Sequence, residues 1–130
     1  MPTYYFDASV QIDVAKALSL VRDDILYPGA LGSPIASPNV DDEVWLTAVG
    51  AQNYVVVKRD KKIRTRPWER QALIAAGVRS FCMTGAGNYS KWEVLRLLAR
   101  FWPDMEEVAE TIPGPYIYSV TQRGVRFLAA

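Results

Sequence analysis

The sequence predicts a three-layer α/β/α sandwich with a mostly parallel central sheet, on three observations. Short apolar or β-branched runs alternate with stretches of helical period along the whole chain, an order that packs as strand–helix–strand units on one sheet. Tyr54-Val55-Val56-Val57 is apolar on both faces, as a central parallel strand covered by helices on either side requires. At 130 residues the chain has the size of one domain, enough to withdraw about two thirds of its unfolded surface from water without disulfides. Residues 1–130 are therefore expected to form a single domain.

Tyr4-Tyr5-Phe6 is an aromatic run ending at Asp7, which reads as a buried strand opening into a polar edge. Ser9 is placed to cap the helix that follows, because Val10, Val14, Leu18 and Val21 share one helical face. Asp23-Asp24 interrupts that pattern, and Ile25-Leu26-Tyr27 reads as a second short strand. Pro28 to Pro38 turns to Pro, Gly, Ser and Ala; eleven residues is long for a connection inside a compact domain and suits a lid or rim.

Asp41 or Asp42 opens a second helix with its acids at the positive end of the helix dipole, Trp45, Ala48 and Val49 as its buried stripe, and Gly50 as its stop. The valine strand follows and runs into Lys58-Arg59-Asp60-Lys61-Lys62. Pro67 suits the first position of a third helix, with Trp68, Ala72, Ala75 and Ala76 on one face and Gly77 closing it. Val78 to Met83 is the next strand and Thr84 to Asn88 a Gly-rich turn. Ser90 then caps an apolar helix through about Phe101 that Pro103 ends, and Met105 to Thr111 adds a helical turn or two. After the rigid Pro113-Gly114-Pro115, Tyr116 to Val120 and Val125 to Leu128 read as a strand and its hairpin partner across Thr121 to Gly124.

Composition removes most catalytic chemistries. With no histidine and one cysteine, Ser-His-Asp and Cys-His catalysis, His or multi-Cys zinc sites, haem ligation through His and a disulfide framework are all excluded. Cys82, inside Phe81-Cys82-Met83, reads as a buried small hydrophobe. The N-terminus has no signal-peptide core and no apolar run is long enough to span a bilayer, so no membrane partner is expected and the protein is expected in the cytoplasm.

What remains is chemistry by carboxylates, hydroxyls, Lys, Arg, Tyr or Cys82, and of these the carboxylates fall in a pattern. In a parallel sheet the strands' C-terminal ends share one edge, where ligands bind at the switch point of the strand order. Asp7 and Asp60 both follow strands there, and Asp41-Asp42-Glu43 offers adjacent candidates for a third acid at a helix start. Taken singly, Asp7 with Ser9 or Asp42 is a helix cap and Asp60 a charged turn. Together, gathered carboxylates repel one another, and a Mg2+ or Mn2+ ion with its preference for hard oxygen ligands resolves that repulsion. Such an ion lowers the pKa of bound water and neutralises charge developing on a phosphodiester, with no need of histidine.

A net charge of only +1 hides a segregated cationic strip. Lys58, Arg59, Lys61, Lys62, Arg64, Arg66 and Arg70 place seven of the fifteen cations in thirteen residues, opposed only by Asp60 and Glu69. Beside an acidic metal pocket, such a strip suits a phosphate backbone. Trp68 could stack a base, but its spacing with Ala72 and Ala75 assigns it to the core. Thr84-Gly85-Ala86-Gly87-Asn88 lacks the lysine of a P-loop and the third glycine of a dinucleotide fingerprint, although Thr84 or Asn88 could line the edge. The apolar side chains around Trp92 and Trp102 exceed what one helix face needs, the ground for expecting a homodimer or partner interface there.

Tyr4-Tyr5-Phe6-Asp7, Asp42-Glu43-Val44-Trp45-Leu46 leading to Gly50, Val55 through Ile63, Pro67-Trp68-Glu69-Arg70 and finally Pro115 to Val120 together resemble the PIN-like domains of VapC-type toxins from bacterial toxin–antitoxin pairs. The resemblance spans nearly the whole chain in order. It implies a Mg2+- or Mn2+-dependent endoribonuclease acting on structured or translation-associated RNA, inhibited by a cognate antitoxin encoded alongside. Residue by residue, Asp7 matches the first-strand acid, Asp42 the acid at the helix start with Glu43 beside it, and Asp60 the acid after the third strand. On this reading Asp7, Asp42 and Asp60 hold the cation and Glu43 assists, while Arg59, Lys61, Lys62, Arg64 and Arg66 grip the RNA backbone. A typical member carries a fourth acid near the end of the following strand, and Thr84 to Asn88 supplies none. The alternatives are a non-catalytic module that binds RNA or protein, and a hydrolase of small phosphate esters.

Overall fold

A computed structural model describes residues 2–33, 42–60, 67–85 and 88–130. Aromatic and β-branched runs form the strands, as their preference for a pleated, covered surface dictates. In chain order the elements are β1 (Tyr4–Phe6), α1 (Ile12–Val21), β2 (Ile25–Leu26), α2 (Asp42–Ala51), β3 (Val55–Arg59), α3 (Pro67–Ala75), β4 (Arg79–Met83), α4 (Lys91–Thr111), β5 (Tyr116–Thr121) and β6 (Gly124–Ala129).

The six strands form one sheet in the order β2-β1-β3-β4-β5-β6, all parallel except β6, which returns antiparallel to β5 through the Gln122-Arg123 turn. The predicted α/β sandwich is thus observed. Alternation along each strand divides the core. Tyr4, Phe6, Val55, Val57, Phe81 and Met83 face α1 and α4, while Tyr5, Val56, Cys82 and Ile117 face α2 and α3. The steps from β3 to β4 and from β4 to β5 run the same way across the sheet with their helices on opposite faces. These two crossovers therefore have opposite hands, a departure from the usual uniform right-handedness of such units.

Several elements differ in detail from the sequence reading. Helix α1 starts at Ile12, with Gln11 before it and no side-chain cap, because the Ser9 hydroxyl is committed elsewhere. Gly50 lies within α2 and does not stop it. A Cβ there would meet the Ala76 carbonyl oxygen at 2.8 Å, so glycine is required by close approach, and Asn53, at φ 58°, makes the reversal into β3.

Helix α3 turns a different face inward. Leu73 and Ile74 pack on the sheet, joined by Ala76 from the expected stripe, whereas Trp68 is 64% exposed and Ala72 and Ala75 are exposed too. At about 100° per residue Trp68 sits roughly 140° round the helix from Leu73. The larger aliphatic pair takes the sheet, and Ala72 and Ala75 bury too little to compete.

Pro103 does not end α4, which continues through it to Thr111. An interior proline costs about 3 kcal/mol. Trp102, Met105 and Ala109 are buried on both sides of it, and burial at about 1.5–3 kcal/mol for each large side chain offsets that cost. Trp102 is accordingly core, its ring 4.7 Å from that of Tyr4 and stacked at 6.3 Å on Phe6, and only Trp92 of the expected surface pair is exposed. The start of α4 is as expected: Ser90 and Glu93 exchange bonds in a capping box.

Candidate functional site

The strand order reverses between β1 and β3, since β1 is followed on one side by β2 and the chain then crosses back over β1 to reach β3. A crevice at such a switch point is where an open parallel sheet accepts ligands. Asp7 and Asp60 stand at its two lips. The Asp7 N–H donates to Val57 O at 3.0 Å and the Asp60 N–H to Met83 O at 3.1 Å, so each backbone is held by the strand beside it.

Ser9 joins the two lips. Its hydroxyl donates to Asp7 Oδ2 at 2.7 Å and accepts the Arg59 N–H at 3.0 Å. No periodicity signals this role, because the partner is fifty residues away. Asp7 is half-buried, as is Asp60.

Cys82 reports on the same place from beneath. Burial pushes its thiol up to about 12, Lys58 opposes that shift, and the charges of Asp60 and Asp7 add to it. Its thiol donates to the Asp60 carbonyl oxygen, with Sγ and O 3.7 Å apart. The charges of both strand-end acids thus raise one buried thiol, on the strand beside that of Asp60. Tyr5 behaves similarly: burial first and then the Asp7 charge push its phenol up to about 12, against a hydrogen bond with Ser33 that lowers it. That bond brings the segment after β2 back to the end of β1.

Helix α2 begins at Asp42. The side chains of Asp42 and Glu43 lie outside the described residues, as do Asp41, Lys61, Lys62, Arg64 and Arg66, the Trp45 side chain, the loop from Pro34 to Pro38, and Ala86-Gly87. Among the described residues no three His, Cys, Asp or Glu side chains group as a metal site. The donors that are described, carboxylates of Asp7 and Asp60 and hydroxyls of Ser9 and the buried Thr84, are all hard oxygens and fit Mg2+ or Mn2+ in kind. Thr84 follows β4 directly and brings no charge, while Asn88 is exposed.

On the other face of the sheet, a cavity of about 250 Å³ adjoins Asp7, lined by Phe6, Val10, Gln11, Tyr27 and Pro28 among others. The Gln11 side-chain amide donates to Tyr89 O at 3.3 Å, tying the start of α1 to the approach to α4. Sequence patterning did not single out this glutamine. The exposed Trp68 ring, on the second residue of α3, is available to stack on a flat partner.

No curated protein and no solved structure matches the chain. A family model described as a PIN like domain matches residues 2–85, a span that runs from β1 through β4 and includes both strand-end acids.

Proposed function

The chain belongs to the PIN-like domain family, and from that premise we propose that it is a metal-dependent endoribonuclease, the VapC-type toxin of a toxin–antitoxin pair. The observation that carries the proposal is the pair of acids at the switch point, Asp7 and Asp60, cross-tied by Ser9. PIN-like domains belong to a nuclease-type superfamily, and their chemistry needs carboxylates at this edge.

In the proposal, Asp7, Asp60 and Asp42 hold Mg2+ or Mn2+, and Glu43 assists through a water molecule. When bound, the cation supplies acidified water and charge neutralisation at a scissile phosphodiester. The chain's own residues do the positioning. Ser9 fixes one oxygen of Asp7 and leaves the second without a hydrogen bond among the described residues. Arg59, Lys61, Lys62, Arg64 and Arg66 neutralise backbone phosphates, which sets register without reading sequence. A cognate antitoxin, a homodimer and a cytoplasmic site of action belong to the same proposal. No helix among the described residues is long and apolar enough to cross a membrane.

Incubating the protein with total RNA in Mn2+, in EDTA, and in EDTA followed by excess Mn2+ tests the reading: fragments are expected in the first and third only. Thr84 at the end of β4, where a fourth acid is typical, favours a second reading, a non-catalytic module. Under it the same incubation gives salt-sensitive RNA binding and no fragments.

A further inference from the structure

Beyond the residues that the family model spans, α4 and the β5–β6 hairpin build a second charged surface. Trp92, Arg96 and Arg100 fall at four-residue steps and so line one face of α4, about 6 Å apart along its axis. All three are exposed. A groove of about 290 Å³ runs beside them, lined by Arg96, Leu97, Arg100, Glu93 and Gln122, and the exposed Arg123 follows Gln122 at the hairpin tip.

Arg96, Arg100 and Arg123 make no ion pair among the described residues. The nearest acid in the groove, Glu93, already accepts the Ser90 N–H. The Arg100 guanidinium lies over the Phe101 ring, its Cζ 5.0 Å from the centroid, a contact that leaves its charge in place. Three guanidiniums with no ion pair among the described residues, beside an exposed indole, match the two needs of an unpaired nucleic-acid strand, phosphate neutralisation and base stacking.

Hydrogen bonds tie this surface to the neighbourhood of Asp7. Gln122 Nε2 donates to the Tyr89 hydroxyl at 3.1 Å, and Gln11 Nε2 donates to the Tyr89 carbonyl at 3.3 Å. Gln11 in turn lines the cavity beside Asp7. Lys91 pairs with Asp13 across the same seam between α1 and α4.

We propose that the Trp92–Arg96–Arg100 stripe and the Gln122-Arg123 turn form a track for single-stranded RNA that feeds the Asp7–Asp60 edge. Single strands are favoured over duplex because an exposed indole stacks on a base whose face is free. The track rests on the nuclease reading for its purpose, and its test is separable from it.

The experiment measures anisotropy of a labelled oligouridine 12-mer, and of an RNA duplex, in EDTA, with cleavage in Mn2+ assayed in parallel. The intact protein is expected to prefer the single strand. Arg96→Gln/Arg100→Gln should lower affinity by about tenfold or more and flatten the slope of log affinity against log salt by about 1.4, two contacts at about 0.7 each. Trp92→Ala should lower affinity about fivefold to a hundredfold, with partial recovery in Trp92→Phe. Unchanged affinity in the Arg pair, with native melting, overturns the track even if RNA is cleaved. Equal binding of duplex overturns it also. Oligouridine binding that depends on the stripe without cleavage overturns the nuclease reading and leaves the track standing.

Discussion

Ser9 and Asp7 form a hydrogen bond of 2.7 Å, and because the Ser9 hydroxyl also accepts the Arg59 N–H, the carboxylate at the end of β1 is positioned by the end of β3. A serine that would otherwise start a helix instead fixes the geometry of the crevice. Ser9→Ala should lower stability by about 1 kcal/mol, a fall of about 4 °C in melting temperature. RNA cleavage should fall several-fold more than Ser9→Thr, which keeps the hydroxyl. Equal activity in the two variants would show that the bridge has no part in positioning.

Removing either strand-end charge tests the metal assignment. Asp7→Asn and Asp60→Asn should each abolish cleavage while the melting temperature stays level or rises, because mutual repulsion is relieved. The asparagine oxygen in Asp7→Asn can still accept from Ser9, so the loss would follow the charge and not the bridge. Cleavage surviving in both variants would exclude these carboxylates as ligands.

Alkaline stability follows from buried acids, the Tyr4 phenol, which burial raises furthest, and three more. Burial pushes the Cys82 thiol, the Tyr5 phenol and the Tyr116 phenol each up to about 12. Their folded values exceed their unfolded ones, so above about pH 9 the unfolded chain binds fewer protons and is favoured. The contribution is whole below the unfolded pKa values and is lost as pH rises toward 12. Melting temperature should be level from pH 7 to 9 and decline from there to pH 11. Cys82→Ala should make the first part of that decline shallower, and a flat profile to pH 11 would contradict the burial of all four.

The two faces of α3 can be told apart by truncation. Leu73→Ala should cost about 2–5 kcal/mol, as for a buried leucine. Trp68→Ala should stay within about 0.5 kcal/mol, as for a surface change, and should weaken RNA binding. A large loss of stability in Trp68→Ala would return that ring to the core.

Local pattern was sufficient for the strands and for the acids that end them. Tyr4-Tyr5-Phe6 and the valine run need covered, pleated surroundings wherever they lie, and Asp7 and Asp60 follow them directly. The capping box at Ser90 was legible for the same reason, since both partners sit within one turn. Helix ends and faces were less so. Pro103 and the alanine spacing around Trp68 carry local preferences worth a few kcal/mol at most, and burial of Trp102, Met105 and Leu73 overrides them.

The sequence by itself determined the alternation of strand and helix, the family resemblance, and the absence of histidine from any chemistry the chain performs. Only the tertiary structure decided that β1 lies between β2 and β3, that Ser9 reaches Arg59, and that α4 covers the same face as α1. These are pairings between residues far apart in the chain. Their energy comes from closing and burying long-range contacts, which no local period records.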